Sequence, residues 1–156
     1  NDLFSRQTDI DYTGCDYADV MIEEANRLNS GLVSEGKARF ICAAAERIPF
    51  ANCFFDKIVT INTLYFWHDA NAVLREIRRV LDKKGLFVLA FRPERQMKNY
   101  PFTPFGFRLY AKEEALQLLV QAGFEPMTVY ENREPDFEIK GINMKVENTV
   151  IVCRAV

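Results

Sequence analysis

Asp16 carries the strongest chemical signal in this chain. It ends the run Tyr12-Thr13-Gly14-Cys15-Asp16, which reads as a short strand, just ahead of a helix that opens at Asp19. An acid at such a junction can accept both hydroxyl hydrogens of a ribose, through charge-assisted bonds about twice as strong as neutral ones. Nicotinamide dinucleotides are gripped by the same device. The plainer alternative is that Asp16 or Asp19 only caps the helix. A second group of candidates lies between Asn62 and Asp69, directly after the run Asp56–Thr63. Tyr65, Phe66 and Trp67 can wall a pocket or pack under the following helix. His68, the lone histidine, invites a general-base reading because imidazole titrates near neutral pH; a solvated loop histidine is the simpler account. Asp69 reads as a helix cap. A third group, Arg92, Tyr100, Phe102, Phe105 and Phe107, sits in the proline- and aromatic-rich stretch Arg92 to Tyr110. A connection this long in a compact domain is usually functional.

The elements that must position these groups follow from periodicity. Residues 55 to 90 read as strand, loop, amphipathic helix and strand, one βαβ unit, with Val73, Leu74, Ile77, Val80 and Leu81 on the apolar helix face and Gly85 as its stop. Such units bind ligands beyond the carboxyl ends of their strands. Asp19 to about Leu32 is helical, with Met21, Ala25, Leu28 and Leu32 on one stripe. Lys37–Ala43 is a strand. Lys112–Ala122 is a helix with Glu113 and Glu114 in its first turn and Gly123 at its end. Phe124–Glu131 and Glu147–Arg154 follow without a helix between them, hence an antiparallel pair. Strands alternating with helices predict an α/β fold with a mainly parallel sheet.

Composition narrows the class. At 156 residues a single domain spanning 1–156 is expected, with core enough to need no staples. A net charge of −2 supplies no basic field for nucleic acid or anionic membranes. Arg75, Arg78, Arg79, Lys83 and Lys84 cluster toward a helix C-terminus, where cations are favoured anyway. No apolar run approaches the roughly 20 residues that span a bilayer, and a chain without a signal peptide is the expectation. Cys15, Cys42, Cys53 and Cys153 show no zinc spacing, so no metal is expected and the cysteines read as small apolar residues. A reducing cytoplasm fits best.

Four stretches in order carry a family resemblance. Gly14-Cys15-Asp16, Ala43-Ala44-Ala45-Glu46-Arg47-Ile48-Pro49-Phe50, Phe55-Asp56, and Arg79-Val80-Leu81-Asp82-Lys83-Lys84-Gly85 resemble the class I S-adenosylmethionine-dependent methyltransferases, in particular the small-molecule branch. The resemblance runs from about Tyr12 to Phe91. It implies a Rossmann-like methyltransferase sheet with a C-terminal antiparallel hairpin, S-adenosylmethionine as cofactor and a small-molecule methyl acceptor. Asp16 would bind the ribose hydroxyls, and Tyr17 and Met21 would lie against the adenosine. Ala45 would offer its backbone N–H to the adenine beside Glu46, and Asn62 would flank the methionine part. Tyr65, Trp67, Arg92 and Tyr100 are the candidates for the acceptor, with 92–111 as a substrate lid.

Two departures stand out. The family usually places an Asp where Ala44 stands, to accept the adenine amino hydrogens; that hydrogen bond is worth roughly 1.5–3 kcal/mol. The family's glycine-rich loop is absent, and Asn1-Asp2-Leu3-Phe4-Ser5-Arg6-Gln7 resembles the tail of the helix that follows it. The central first strand of the sheet is therefore expected to be missing from this chain, to be completed by another copy in a homo-oligomer, by rearranged pairing, or by a longer gene product. A non-catalytic cofactor-binding or scaffold domain is the rival reading. A nicotinamide-dependent reductase shares only the acid after a strand, since no tyrosine has lysine four residues on.

Overall fold

Strand β1 (Tyr12–Asp16) lies parallel to β2 (Ala38–Cys42), with Tyr12 opposite Ala38 and Asp16 opposite Cys42. The computed structural model describes residues 9–139 and 142–156, in two compact units, Asn1–Pro49 and Phe50–Val156. The helix tail expected over Asn1–Gln7 lies outside the described residues. Gly14 faces Phe40 across the first ladder, and a Cβ there would stand 2.5 Å from the Phe40 ring. Glycine is what lets that ring cross the strand.

The helix expected from Asp19 to Leu32 is broken into α1 (Asp19–Leu28) and α2 (Ser30–Ser34). Asn29 makes the break: its side-chain amide and its backbone N–H both donate to the Ala25 carbonyl, at 2.9 and 3.1 Å. A side chain competing for helix carbonyls, followed by Ser30 and Gly31, ends the regular turn. The stripe expected on this helix is open to solvent, with Met21 55% and Leu28 64% exposed. Ala38 alone is buried among the described residues of this unit, because a two-stranded sheet offers little surface to cover a helix.

The second unit is a four-stranded mixed sheet in the order β3 (Phe55–Ile61), β4 (Leu81–Phe91), β6 (Ile142–Ala155), β5 (Phe124–Ile139). β3 and β4 are parallel; β6 runs antiparallel to both β4 and β5. The chain is thus α/β, with the expected parallel βαβ unit and the expected C-terminal hairpin. Helix α3 (Ala70–Val80) makes the crossover and buries Ala70, Val73, Leu74, Ile77 and Val80. The Asp69 carboxylate accepts the Ala72 N–H at 3.0 Å, as the capping reading requires.

Gly85 does not stop this helix. The helix ends at Val80, and Leu81 turns extended and opens β4. A Cβ on Gly85 would lie 2.6 Å from Leu81 Cδ1 and 3.0 Å from the Asp56 carbonyl, so glycine is needed for space. The basic cluster proves partly structural: Arg79 donates to the Phe50 carbonyl and to Asn52, and Arg78 to the Val156 carbonyl.

Phe87, Leu89 and Phe91 of β4, with Ile151 and Cys153 of β6, form the buried centre. Helix α5 (Lys112–Gln121) adds Ala115 and Leu119, and Phe124 sets its ring 5.2 Å from that of Phe87. Only Cys153 behaves as a core cysteine, its thiol pushed up to about 12 by burial; Cys15, Cys42 and Cys53 are exposed. The hairpin outruns its expected ends because Pro126 and Pro135 fall where its pairing register shifts, the places where an edge strand tolerates proline.

The stretch after β4 is folded rather than slack. Its base is closed by the Glu94 N–H donating to the Tyr110 carbonyl at 2.8 Å. It holds the short helix α4 (Glu94–Met97) and buries Gln96, Met97, Tyr100, Thr103 and Tyr110. Gln96 pins it from within, donating to the Tyr100 hydroxyl at 2.8 Å and accepting the Glu147 N–H at 3.1 Å. This is a loop packed by its own side chains.

Candidate functional site

Because β1 and β2 are parallel, the segments that leave them start from the same end of their ladder. There the Ala43 N–H donates to the Asp16 carbonyl at 2.9 Å. The Asp16 carboxylate accepts the Ala18 N–H at 2.9 Å, which holds it at the strand end while leaving lone pairs for further donors. That bond does not cap α1, which begins at Asp19 and receives no side-chain cap, so the capping reading of Asp16 or Asp19 is not what the structure shows. Tyr17 is 80% exposed and Met21 is also open. The Cys42 thiol donates to the Tyr17 carbonyl at 3.4 Å, and it is held above the ordinary thiol range by its hydrogen bond with Asp19, then by burial and by the acids Asp19 and Asp16. Ala44, Ala45 and Glu46 follow β2 in a turn closed by the Arg47 N–H on the Ala44 carbonyl. Six of the candidates thus gather at one ladder end. A nucleoside suits this set: a carboxylate to accept from two hydroxyls and open apolar side chains for a flat base.

The second unit gathers another set. Asn62 leaves β3 in the left-handed region, at φ 57°, and its N–H donates to the Ala90 carbonyl at 2.9 Å. A single 3₁₀ turn, Leu64–Phe66, then brings Tyr65 back over the strand ends. The Tyr65 hydroxyl accepts the Arg92 backbone N–H. Its own proton can go to the Asn62 side-chain oxygen at 3.2 Å or to the Arg92 carbonyl at 3.3 Å. Burial pushes this hydroxyl up to about 12, against the opposing pull of Arg92, so it stays protonated through the physiological range.

Asn62, Tyr65 and Arg92 line a cleft of about 180 Å³ together with Phe66, Met97, Phe102 and Phe107. The Phe66 and Phe107 rings are 4.7 Å apart and those of Phe102 and Phe107 5.6 Å. The Arg108 N–H on the Tyr65 carbonyl fastens this wall. Arg92 lies 5.9 Å from the Tyr100 ring centroid and 3.8 Å from the Glu134 carboxylate.

Trp67 and Tyr100 do not line the cleft. Both are buried, and Tyr100 supports the wall from behind through Gln96 and a stack on Phe102 at 5.2 Å. His68 is exposed and also stands outside the lining. Met97 is the lining residue that periodicity did not single out; its only signal was membership of the aromatic stretch. No helix among the described residues is long and apolar enough to cross a membrane.

The methyltransferase domain family matches residues 2–89. The chain is 24% identical over 139 residues to the uncharacterized methyltransferase YdaC of Bacillus subtilis, covering 88% of this chain and 71% of that one. It is 36% identical over 73 residues to an O-methyltransferase of Pyrenophora dematioidea, over 47% of this chain and 27% of that protein. Among solved structures, a SAM-dependent methyltransferase of Methanosarcina mazei aligns with a TM-score of 0.71 at 20% identity, over 92% of this chain and 81% of that one. The shared architecture is the Rossmann-like α/β fold.

Proposed function

This chain belongs to the class I S-adenosylmethionine-dependent methyltransferase family, and from that premise we propose that it serves methyl transfer to a small-molecule acceptor. The cofactor is S-adenosylmethionine, which when bound supplies a methyl group on a sulfonium, electrophilic enough to need no metal. What the protein adds to an in-line displacement is position and orientation. In this reading Asp16 holds the ribose hydroxyls, Tyr17 and Met21 flank the adenosine, and Ala44, Ala45 and Glu46 border the adenine. Tyr65 and Arg92 border the acceptor, and residues 92–111 wall it in. A reducing cytoplasm is the compartment in which the exposed thiols of Cys15, Cys42 and Cys53 would persist.

One observation carries the reading. A carboxylate stands at the end of a parallel strand, fixed by the Ala18 N–H and followed by an open apolar residue, with the adenine-binding candidates leaving the neighbouring strand at the same end. Calorimetry with S-adenosylhomocysteine tests it. Saturable heat with the whole chain is the expected result; a folded sample giving no heat at millimolar ligand would remove it. The rival, a non-catalytic cofactor-binding or scaffold domain derived from a methyltransferase, draws on Ala44, which has no side-chain acceptor to offer the adenine amino group.

A further inference from the structure

We propose that the cleft at the ends of β3 and β4 takes a single-ring phenol in its ionised form, with the phenolate oxygen on the Asn62 side-chain amide and the ring against Phe102 and Phe107. The inference rests on the methyl-transfer reading only in calling this ligand the acceptor.

Asn62 is where the selectivity begins. It leaves β3 at φ 57°, a left-handed conformation that asparagine adopts more readily than most residues. Sparsely populated backbone of this kind gathers where ligands bind. The Asn62 side-chain oxygen stands 3.2 Å from the Tyr65 hydroxyl. With that bond made the oxygen is spent on Tyr65, and the amide nitrogen keeps two N–H donors. No described residue accepts from them, and Asn62 is exposed. Asn62 and Tyr65 both line the cleft, so a ligand seated there meets a donor held in place from below.

Size and surface select one flat ring. About 180 Å³ is well below the roughly 300–1,000 Å³ of drug-sized ligand sites. Phe66 and Phe102 flank Phe107, with ring centroids 4.7 and 5.6 Å from it, and aromatic groups favour another ring in offset or edge contact. Met97 completes the wall with a side chain that adapts to the shape of its neighbour.

Charge separates the phenol from its ion. No carboxylate is among the described lining residues. Arg92 borders the cleft, but its guanidinium lies 3.8 Å from Glu134 and 5.9 Å from the Tyr100 ring centroid, neither of which lines it. The preference is therefore assigned to Asn62. Burial pushes the Tyr65 hydroxyl up to about 12 and Asn62 does not titrate, so neither takes a proton from a bound phenol near neutral pH. Asn62 can donate, and a hydrogen bond to the charged form favours ionisation. The proton goes to solvent, and the oxygen keeps its lone pair beside the amide.

The test is calorimetric titration of the whole chain with para-nitrophenol, at pH values below and above the ionisation of this probe, which lies near neutrality. The ionised form should bind roughly fivefold to tenfold more tightly, the difference between a charge-assisted and a neutral hydrogen bond. The control, para-nitroanisole, carries the same ring without an ionisable hydroxyl and should bind equally at both pH values. Asn62→Gly keeps the left-handed backbone and removes the donor, so the preference should vanish. Asn62→Asp should reverse it, because a carboxylate accepts from the neutral phenol and repels the ion. Should either variant misfold, the comparison of phenol with anisole on the parent chain still decides. Equal affinity for the two forms of the phenol, no heat at millimolar probe with a folded sample, or a preference that survives Asn62→Gly would overturn the assignment. Titration with S-adenosylhomocysteine separates the two claims. Nucleoside binding without phenolate preference defeats this inference alone; phenolate preference without nucleoside binding leaves the selectivity of the cleft standing and defeats the methyl-transfer reading.

Discussion

The hydroxyl of Tyr65 accepts the backbone N–H of Arg92, a residue that follows it by 27 positions in the chain. One side chain thereby closes the ends of β3 and β4 over each other, with Asn62 on its other side. Tyr65→Phe keeps the ring and its contact with Phe107 but leaves a half-buried backbone donor without that acceptor. The expected cost is about 1–3 kcal/mol, read as a lower urea midpoint with unchanged slope. A variant as stable as the parent would mean that water replaces the hydroxyl.

The same burial makes stability depend on alkaline pH. The Tyr65 hydroxyl is raised from 10.0 to about 12 in the fold, so the folded state holds its proton more tightly than the unfolded chain does. The stabilisation is complete below about pH 10 and is lost as pH climbs toward the folded value, at up to roughly 1.4 kcal/mol per unit. Tyr110 is shifted in the same direction by burial. Thermal melts above about pH 10 should fall steeply for the parent and less steeply for Tyr65→Phe. Identical slopes would show that Tyr65 ionises as an ordinary exposed phenol does.

The Asp16 carboxylate is held by the Ala18 N–H at 2.9 Å, in a unit whose described residues bury only Ala38. Asp16→Ala should therefore leave the melting of the larger unit unaltered while removing the charged acceptor for a ribose. Loss of one charge-assisted pair predicts S-adenosylhomocysteine binding weaker by more than about tenfold. Unchanged affinity would take Asp16 out of the site, whatever the family pattern implies.

Local signals carried much of this. The strand Tyr12–Asp16, the buried face Val73-Leu74-Ile77-Val80 and the Asp69 cap depend on neighbours in sequence or on one periodicity, and all were legible. The break at Asn29 was not, because a side chain stealing a backbone carbonyl leaves no mark in an apolar stripe. The cleft was half legible. Asn62 and Tyr65 lie after a strand, where ligands are expected, but their link to Arg92 and Met97 depends on how the aromatic stretch folds back. Trp67 and Tyr100 looked like lining because aromatic residues in loops do; both are buried instead, Tyr100 behind Phe102. Gly85 was misread for a similar reason. After a helix it looked like a stop, and its true constraint comes from the Leu81 side chain and the Asp56 carbonyl, which the pairing of β3 with β4 brings against it.

That constraint gives the sharpest stability test. Gly85→Ala would force a methyl to within 2.6 Å of Leu81 Cδ1 and 3.0 Å of the Asp56 carbonyl. Overpacking of this kind costs about 1–3 kcal/mol. Leu81→Ala alone should cost roughly 2–5 kcal/mol, since Leu81 is fully buried. If the two side chains compete for one space, the double variant must be more stable than the sum of the single losses, by a coupling of about 0.5–3 kcal/mol. The Asp56 carbonyl remains in place, so rescue will be partial. Strict additivity in a denaturant series would show that the new methyl strains the backbone of β3 rather than the Leu81 side chain. Gly85 would then be required by strand pairing, and not by the way β4 leaves the helix.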